Sequence, residues 1–183
     1  MAERKAEPEA DLRAEPRVAV YPGTFDPPTN GHLDIVERAS RLFDRVVIGV
    51  GANLAKKTFF DVEERVELMR TSCAHLSNVE VRSFDTLTIG FARDCNAGFV
   101  IRGIRALSDF EFEFEMANMN HQLGPEIEMV FLMTAPEYLF LSASRVKELV
   151  AFGASVERYV PKVVAQRLAG KGGVRTGATE AQD

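Results

Sequence analysis

Cysteine, basic charge and long apolar runs are all scarce in this sequence. Its 183 residues include two cysteines and no tryptophan, and Cys73 and Cys95 lie in unrelated segments without CxxC spacing. This excludes a disulfide framework and gives no indication of a zinc site. The 22 basic residues are outnumbered by 27 acidic ones, so we expect no nucleic-acid surface, and any anion site must be a concentrated pocket.

The two ends of the chain lack the features of targeting or membrane segments. No run approaches the roughly 18 apolar residues of a membrane span, and residues 1–16 mix both charges without the apolar core of a signal peptide. We interpret 1–16 as a disordered extension, 17–168 as one domain, and the glycine-rich residues 169–183 as a disordered tail. The protein is expected to be cytoplasmic and to have no membrane partner.

Between the ends, short β-branched runs alternate with longer segments of helical period. This pattern predicts an α/β fold, a Rossmann-like doubly wound parallel sheet of five strands with helices on both faces. The spacing of Asp61 to Glu64, and of Ser108 to Glu111, predicts capping boxes at two helix starts. The predicted strands are 17–21, 45–50, 79–84, 98–101 and 126–133, and the predicted helices are 31–43, 62–76, 89–96, 109–123, 144–152 and 161–168.

Ligands of such sheets bind where the loops leave the carboxyl ends of the strands. The loop after the first strand, YPGTFDPPTNGH, ends at a helix start, where Gly23 allows close backbone approach and Gly31 removes bulk beside free N–H groups. Such a helix end attracts anions, and His32 in its first turn can donate a hydrogen bond to a phosphate oxygen. The alternative is an ordinary turn with a histidine facing solvent.

Basic residues follow two further strands. Lys56 and Lys57 are adjacent after the second strand, and Arg102 and Arg105 follow the fourth. Guanidinium groups there favour bidentate phosphate binding, although pairing with the nearby acidic residues Asp109, Glu111 or Glu113 is the ordinary alternative. After the fifth strand, Ser142 or Ser144 either binds phosphate or only caps the next helix.

Three motifs in order resemble one enzyme family. GTFDPPTNGHLD is similar to the T/HxGH loop of the nucleotidyltransferase superfamily, with Thr29 at the place of the first histidine. RGIRALSDFEFEFEMANMN, residues 102–120, resembles the matching stretch of the phosphopantetheine adenylyltransferases, and SASRVKE resembles their serine-rich motif, with Ala143 where serine is usual. The resemblance covers roughly Val18 to Val160.

This resemblance implies reversible transfer of AMP from ATP to 4′-phosphopantetheine, giving 3′-dephospho-coenzyme A and pyrophosphate. It also implies a homohexamer, feedback by coenzyme A, and Mg²⁺ held by ATP and water without protein ligands. The implied catalytic residues are His32, Thr24, Lys56 and Arg102, and Thr24, Lys56, Thr88 and Arg102 would bind the acceptor. The implied ATP-binding residues are Thr24, Phe25, His32, Gly103, Ile104, Arg105, Glu113, Tyr138, Leu139, Phe140, Leu141, Ser142, Ala143 and Ser144.

Two other readings stay open at this point. Another enzyme of the superfamily, such as a cytidylyltransferase or a nicotinamide-nucleotide adenylyltransferase, would share the first loop, but RGIRALSDFEFE argues against both. The second interpretation is a catalytically silent protein that binds a nucleotide or coenzyme A. Ala143 is the one residue that favours it.

Overall fold

The computed structural model describes residues 16–52 and 57–172, which form one parallel five-stranded sheet in the order β3-β2-β1-β4-β5. The strands are β1 Val18–Gly23, β2 Arg45–Gly51, β3 Val79–Phe84, β4 Phe99–Ile104 and β5 Glu128–Met133. The helices are α1 Asn30–Leu42, α2 Val62–Ser72, α3 Thr88–Asp94, α4 Leu107–Leu123, α5 Ala143–Ala151 and α6 Lys162–Gly172. The predicted fold class is confirmed.

The central strand β1 shows why helices cover both faces of the sheet. Ala19 and Tyr21 belong to one apolar cluster, which includes Ile35 and Val36 of α1. Val18 and Val20, which alternate with them, belong to a second cluster with Ile89, Phe91 and Ala92 of α3. Because successive side chains of a strand point to opposite faces, a central strand needs an apolar residue at nearly every position.

The structure confirms one of the two predicted capping boxes and moves several predicted boundaries of strands and helices. The capping box of Asp61 and Glu64 is confirmed, with N–H to carboxylate distances of 2.7 and 3.2 Å. The capping box predicted from Ser108 is wrong. Helix α4 begins at Leu107, two residues before its predicted start, and its N-cap residue Ala106 makes no side-chain hydrogen bond. β4 continues to Ile104, three residues past its predicted end, so that Arg102 lies within a strand and pairs with β5. Helix α6 extends to Gly172, and the tails beyond the described residues stay predictions.

Helix α4 has an inverted distribution of polar and apolar side chains. Among its described side chains, Glu113 and Asn120 are buried. Its large apolar side chains are exposed instead: Leu107, Phe110, Phe112, Phe114, Met119 and Leu123. With about 3.6 residues per turn, these side chains fall on two sides of α4: Leu107, Phe110 and Phe114 on one, and Phe112, Met119 and Leu123 on the other. A solvent-facing helix normally buries its apolar residues, so both sides are candidates for contact with a partner. No helix in the described ranges is long and apolar enough to cross a bilayer.

A buried arginine holds together the loops after β1 and β2. Arg65 of α2 is 3% exposed. Its Nη1 donates to the carbonyl oxygens of Thr24 at 2.7 Å and Gly51 at 2.9 Å, and its Nε to those of Phe60 and Asp61 at 3.2 Å. One guanidinium therefore supplies donors to carbonyl groups of both loops and of the start of α2.

Arg65→Met should lower the free energy of unfolding by about 2 to 4 kcal/mol, because it leaves several buried carbonyl groups without a donor. The matched control is Arg70→Met on the exposed face of the same helix, where Arg70 pairs with Glu67 at 3.1 Å. That variant should change the free energy by less than about 0.5 kcal/mol. Urea unfolding measures both, and equal effects would contradict the structural role of Arg65.

Candidate active site

The main cleft lies where the strand order reverses, between β1 and β4, which is the position expected for ligands of an open parallel sheet. It encloses about 530 Å³ and is lined from the loops after β1, β2, β4 and β5, the four loops that the sequence indicated. Most of the predicted site residues line it: Thr24, Phe25, His32, Arg102, Gly103, Arg105, Glu113, Leu141, Ser142, Ala143 and Ser144.

Five predicted residues do not line the cleft. Ile104 is buried in the sheet, and Thr88 begins α3 on the opposite face. Tyr138, Leu139 and Phe140 lie in and after a 3₁₀ turn, Pro136–Tyr138, that leads to the cleft-lining Leu141. Lys56 lies outside the described residues, whereas its neighbour Lys57 lines the cleft.

The start of α1 fixes the orientation of His32. Thr29 is the N-cap residue, and its hydroxyl oxygen accepts from the backbone N–H of His32. In return, the Nδ1 atom of His32 accepts the backbone N–H of Thr29 at 3.0 Å. This is a capping box in which an imidazole takes the role usually played by a glutamate. A neutral imidazole that accepts through Nδ1 carries its proton on Nε2, so His32 offers an N–H donor to the cleft.

The surroundings of His32 keep it neutral. Burial of the ring, and next the positive charge of Arg105, lower the pKa of His32 from 6.5 to about 4. Phe25 packs edge-on against the imidazole with ring centroids 5.1 Å apart. A Cβ at Gly23 would lie 2.7 Å from the Phe25 ring, so glycine is required there by this packing, whereas the sequence suggested close approach of a ligand.

Both arginines of the cleft are already paired with carboxylates, which is the ordinary alternative that the sequence left open. Arg102 binds Glu113 through Nε at 2.7 Å and through Nη2, and donates from Nη1 to the carbonyl oxygen of Pro22. Arg105 binds Asp109 through Nε at 3.0 Å and donates from Nη1 to the carbonyl oxygen of Leu141 at 2.8 Å. Each guanidinium has five N–H donors, so these bonds aim it without using all of them.

A third ion pair was not found by sequence reasoning. Lys147 of α5 donates from Nζ to Oδ2 of Asp26 at 2.8 Å, and both residues line the cleft. Burial alone would raise the pKa of Asp26, but hydrogen bonds from Lys147 and from the N–H groups of Phe59 and Phe60 outweigh it and hold that pKa below its usual value. The position of Lys147, three residues after Ser144, was the available signal, because residues three apart share a helix face.

The helix ends contribute fewer free donors than the sequence indicated. At the start of α1, the N–H of Asn30 donates to the carbonyl oxygen of Tyr159 at 2.9 Å, and that of His32 is taken by Thr29. At the start of α5, Ser142 acts as the N-cap and accepts the N–H of Arg145 at 3.2 Å. Ala143 and Ser144 line the cleft at this helix end, where backbone N–H groups favour an anion.

The charges that line the cleft nearly balance. Among the described residues, four basic side chains, Lys57, Arg102, Arg105 and Lys147, and three carboxylates, those of Asp26, Asp109 and Glu113, line the cleft, a net charge of +1 with His32 neutral and without Lys56. Within the described ranges, no group of three or more histidine, cysteine, aspartate or glutamate side chains could hold a metal ion. The donor set therefore fits a divalent cation that arrives bound to phosphate oxygens and water.

Comparisons with known proteins agree on the fold and on the family. A family model described as cytidylyltransferase-like matches residues 20–149. A solved structure of a candidate nicotinate-nucleotide adenylyltransferase from Vibrio parahaemolyticus superposes with a TM-score of 0.68 at 18% identity, covering 86% of this chain and 94% of that one, which supports the fold alone.

Relatives in sequence are much closer. The phosphopantetheine adenylyltransferase of Clostridium botulinum (strain Eklund 17B / Type B) is 53% identical over 148 residues, 81% of this chain and 93% of its own. That of Caulobacter vibrioides (strain NA1000 / CB15N) is 51% identical over 160 residues, 86% of this chain and 98% of its own. The chain therefore belongs to the phosphopantetheine adenylyltransferase family.

Proposed function

We propose that the cleft transfers AMP from ATP to the phosphate of 4′-phosphopantetheine, giving 3′-dephospho-coenzyme A and pyrophosphate, and that His32 stabilises the transition state. The observation that carries this proposal is the hydrogen bond between Thr29 N–H and Nδ1 of His32. It leaves a neutral imidazole whose Nε2–H can donate to a non-bridging oxygen of the α-phosphate. Relatives that share about half of the sequence carry the name of this activity.

The reaction needs alignment and charge stabilisation more than proton transfer. An oxygen of the acceptor phosphate forms a bond to the α-phosphorus, and the bond from that phosphorus to the bridging oxygen of the β-phosphate breaks. The electron pair leaves with pyrophosphate, and the acceptor phosphate is already ionised near neutral pH, so no base is required. Positioning and preorganised donors supply most of the acceleration in such transfers.

The proposal assigns the remaining roles as follows. Thr24 shares the α-phosphate with His32, while Arg102 and the lysines after β2, Lys56 among them, hold the acceptor phosphate. Arg105 and the start of α5 hold the β- and γ-phosphates. Because Arg102 and Arg105 are each oriented by a carboxylate, at 2.7 and 3.0 Å respectively, they can bind phosphate with their remaining N–H groups without first being immobilised.

Mg²⁺ is part of this proposal. The net charge of +1 on the cleft-lining side chains is small beside that of a triphosphate and a second phosphate, so a cation that accompanies ATP would complete the neutralisation. When bound, Mg²⁺ lowers the repulsion between the triphosphate and the incoming phosphate. This chain's residues would hold it indirectly, through the phosphates and water that they contact.

Pyrophosphate release from ATP, Mg²⁺ and 4′-phosphopantetheine tests the proposed function. His32→Ala should lower kcat by about 10²- to 10³-fold with smaller changes in both KM values, as expected for loss of one transition-state donor. The control is His75→Ala, since His75 lies on the surface, paired with Glu37 at 3.4 Å, and should behave as wild type. An unchanged kcat for His32→Ala would remove His32 from the mechanism, and a wild-type protein that binds ATP without releasing pyrophosphate would favour the silent binding protein.

The proposal extends to assembly, location and feedback. A homohexamer would cover exposed apolar side chains of α4, among them Phe110 and Phe114, whose rings stack with centroids 6.0 Å apart. A cytoplasmic location suits two buried free cysteines, Cys73 and Cys95. Coenzyme A contains both the pantetheine arm and an adenylyl group, so it would compete for the same cleft.

The assembly is tested by the solution mass. The chain has a mass of 20.3 kDa, and light scattering after size-exclusion chromatography should give about six times that value for the wild type. Phe114→Glu places a charge beside Phe110 on α4 and should give smaller species, since a charge buried without a partner at a subunit contact is costly. Phe152→Glu, at the 83%-exposed residue after α5, is the control and should leave the mass unchanged, whereas a monomeric wild type would contradict the proposal.

A further inference from the structure

Asp26 is a buried residue in the wall of the cleft, and its carboxylate binds groups from two distant parts of the chain. Only 4% of its side chain is exposed, against 33% for Lys147 in front of it. Oδ1 accepts the N–H of Phe60 at 2.9 Å, and Oδ2 accepts both the N–H of Phe59 at 2.9 Å and Nζ of Lys147 at 2.8 Å. Asp26 lines the cleft, but both of its carboxylate oxygens are already bonded to groups of the protein, so we infer that it acts through these partners.

The partners of Asp26 come from opposite sides of the proposed reaction. Phe59 and Phe60 end the loop after β2 and directly follow Lys57 and Thr58, which line the cleft on the side assigned to the acceptor. Lys147 belongs to α5, on the side assigned to the triphosphate. A single carboxylate therefore positions both sides relative to the loop that leads into α1 and His32.

The loop next to Asp26 needs such support. Phe25 has a φ of 48°, in the left-handed region that residues other than glycine rarely adopt. Its ring lies against Tyr21 and His32, with centroids 5.4 and 5.1 Å away. Arg65 fixes the carbonyl group of Thr24 before it, and Asp26 fixes the chain after it, so the two buried charges hold the Phe25 ring beneath the histidine.

We propose that Asp26 is a positioning residue of this enzyme, which holds the acceptor-side loop and the Lys147 ammonium group in register with His32. The inference rests on the proposed function of the cleft and adds to it a residue that acts through the groups it binds. It predicts that loss of the carboxylate impairs the use of both substrates, whereas loss of Lys147 alone impairs mainly the use of ATP.

Asp26→Asn is the sharpest substitution because an amide cannot replace this carboxylate in either orientation. An asparagine has one acceptor oxygen and one NH₂ donor. If the oxygen replaces Oδ2, the NH₂ group faces the N–H of Phe60, and if it replaces Oδ1, the NH₂ group faces both Phe59 N–H and the ammonium of Lys147. The side chain keeps its size while the loop loses its anchor.

The experiment measures kcat and both KM values by pyrophosphate release, with thermal unfolding in parallel, for wild type, Asp26→Asn, Lys147→Met and the double variant. Asp26→Asn should lower kcat/KM by about 10- to 100-fold for ATP and for 4′-phosphopantetheine, the size expected from misplaced reacting groups. Lys147→Met should lower it for ATP and leave the acceptor KM within about threefold. The double variant should resemble Asp26→Asn, because Lys147 acts only where Asp26 places it.

The matched control is Asn78→Ala. Asn78 directly precedes the edge strand β3, at the amino end of the sheet. Its amide donates to the carbonyl groups of Ser40 and Phe43 at 2.9 and 3.1 Å. It should lower Tm while leaving kcat and both KM values unchanged. Wild-type kinetics for Asp26→Asn, fully multiplicative effects in the double variant, or equal activity losses at equal Tm in Asn78→Ala would overturn the role of Asp26.

Two further outcomes are informative. If Asp26→Asn does not fold, Asp26→Glu decides, because it keeps the charge and moves it by one methylene group; raised KM values for both substrates support the proposal and wild-type kinetics contradict it. A wild-type protein that releases no pyrophosphate would overturn the proposed function, and this inference with it, whereas an active wild type with an equally active Asp26→Asn variant overturns the inference alone.

Discussion

The hydrogen bond from Thr29 N–H to Nδ1 of His32 determines the chemistry of the cleft. It uses a helix-capping position to fix both the rotamer and the tautomer of the imidazole. A charged histidine would carry a proton on both ring nitrogens, so Nδ1 could not accept the N–H of Thr29. The ring would then bind phosphate only as a simple cation. Burial and the neighbouring Arg105 lower its pKa to about 4, so the ring remains a neutral donor in the wall of the cleft.

The rest of the site provides positive charge without leaving it unpaired. Arg102, Arg105 and Lys147 each have a carboxylate partner within 3.0 Å. Such pairs cost little when the cleft is exposed to water, and they hold the cations in place before substrate arrives. The fold accordingly prepares donors with defined directions, and most of the added positive charge for two phosphorylated substrates has to come with ATP.

Much of this could be predicted from local sequence. The strand and helix pattern predicts the fold, because β-branched runs and helical periodicity are local signals, and the loop residues Thr24 and His32 were located by their motif. The pairing of Asp26 with Lys147 could not be predicted, since 121 residues separate them. The start of α4 was misplaced because Ser108 and Glu111 have the spacing of a capping box, whereas the helix begins at Leu107 with Ala106 as its N-cap. The pairing of Glu113 with Arg102 was one of the alternatives that the sequence left open, and the assignment of Glu113 to the nucleotide stays a prediction.

The mechanism depends on a His32 that is neutral and protonated on Nε2 in the free protein. Long-range ¹H–¹⁵N NMR spectra, with His32→Gln to assign the resonance, measure this directly. We expect a single neutral tautomer with the proton on Nε2 at pH 7 and a titration midpoint near pH 4, in line with the lowered pKa. A midpoint near the ordinary value of 6.5, or a proton on Nδ1, would contradict it.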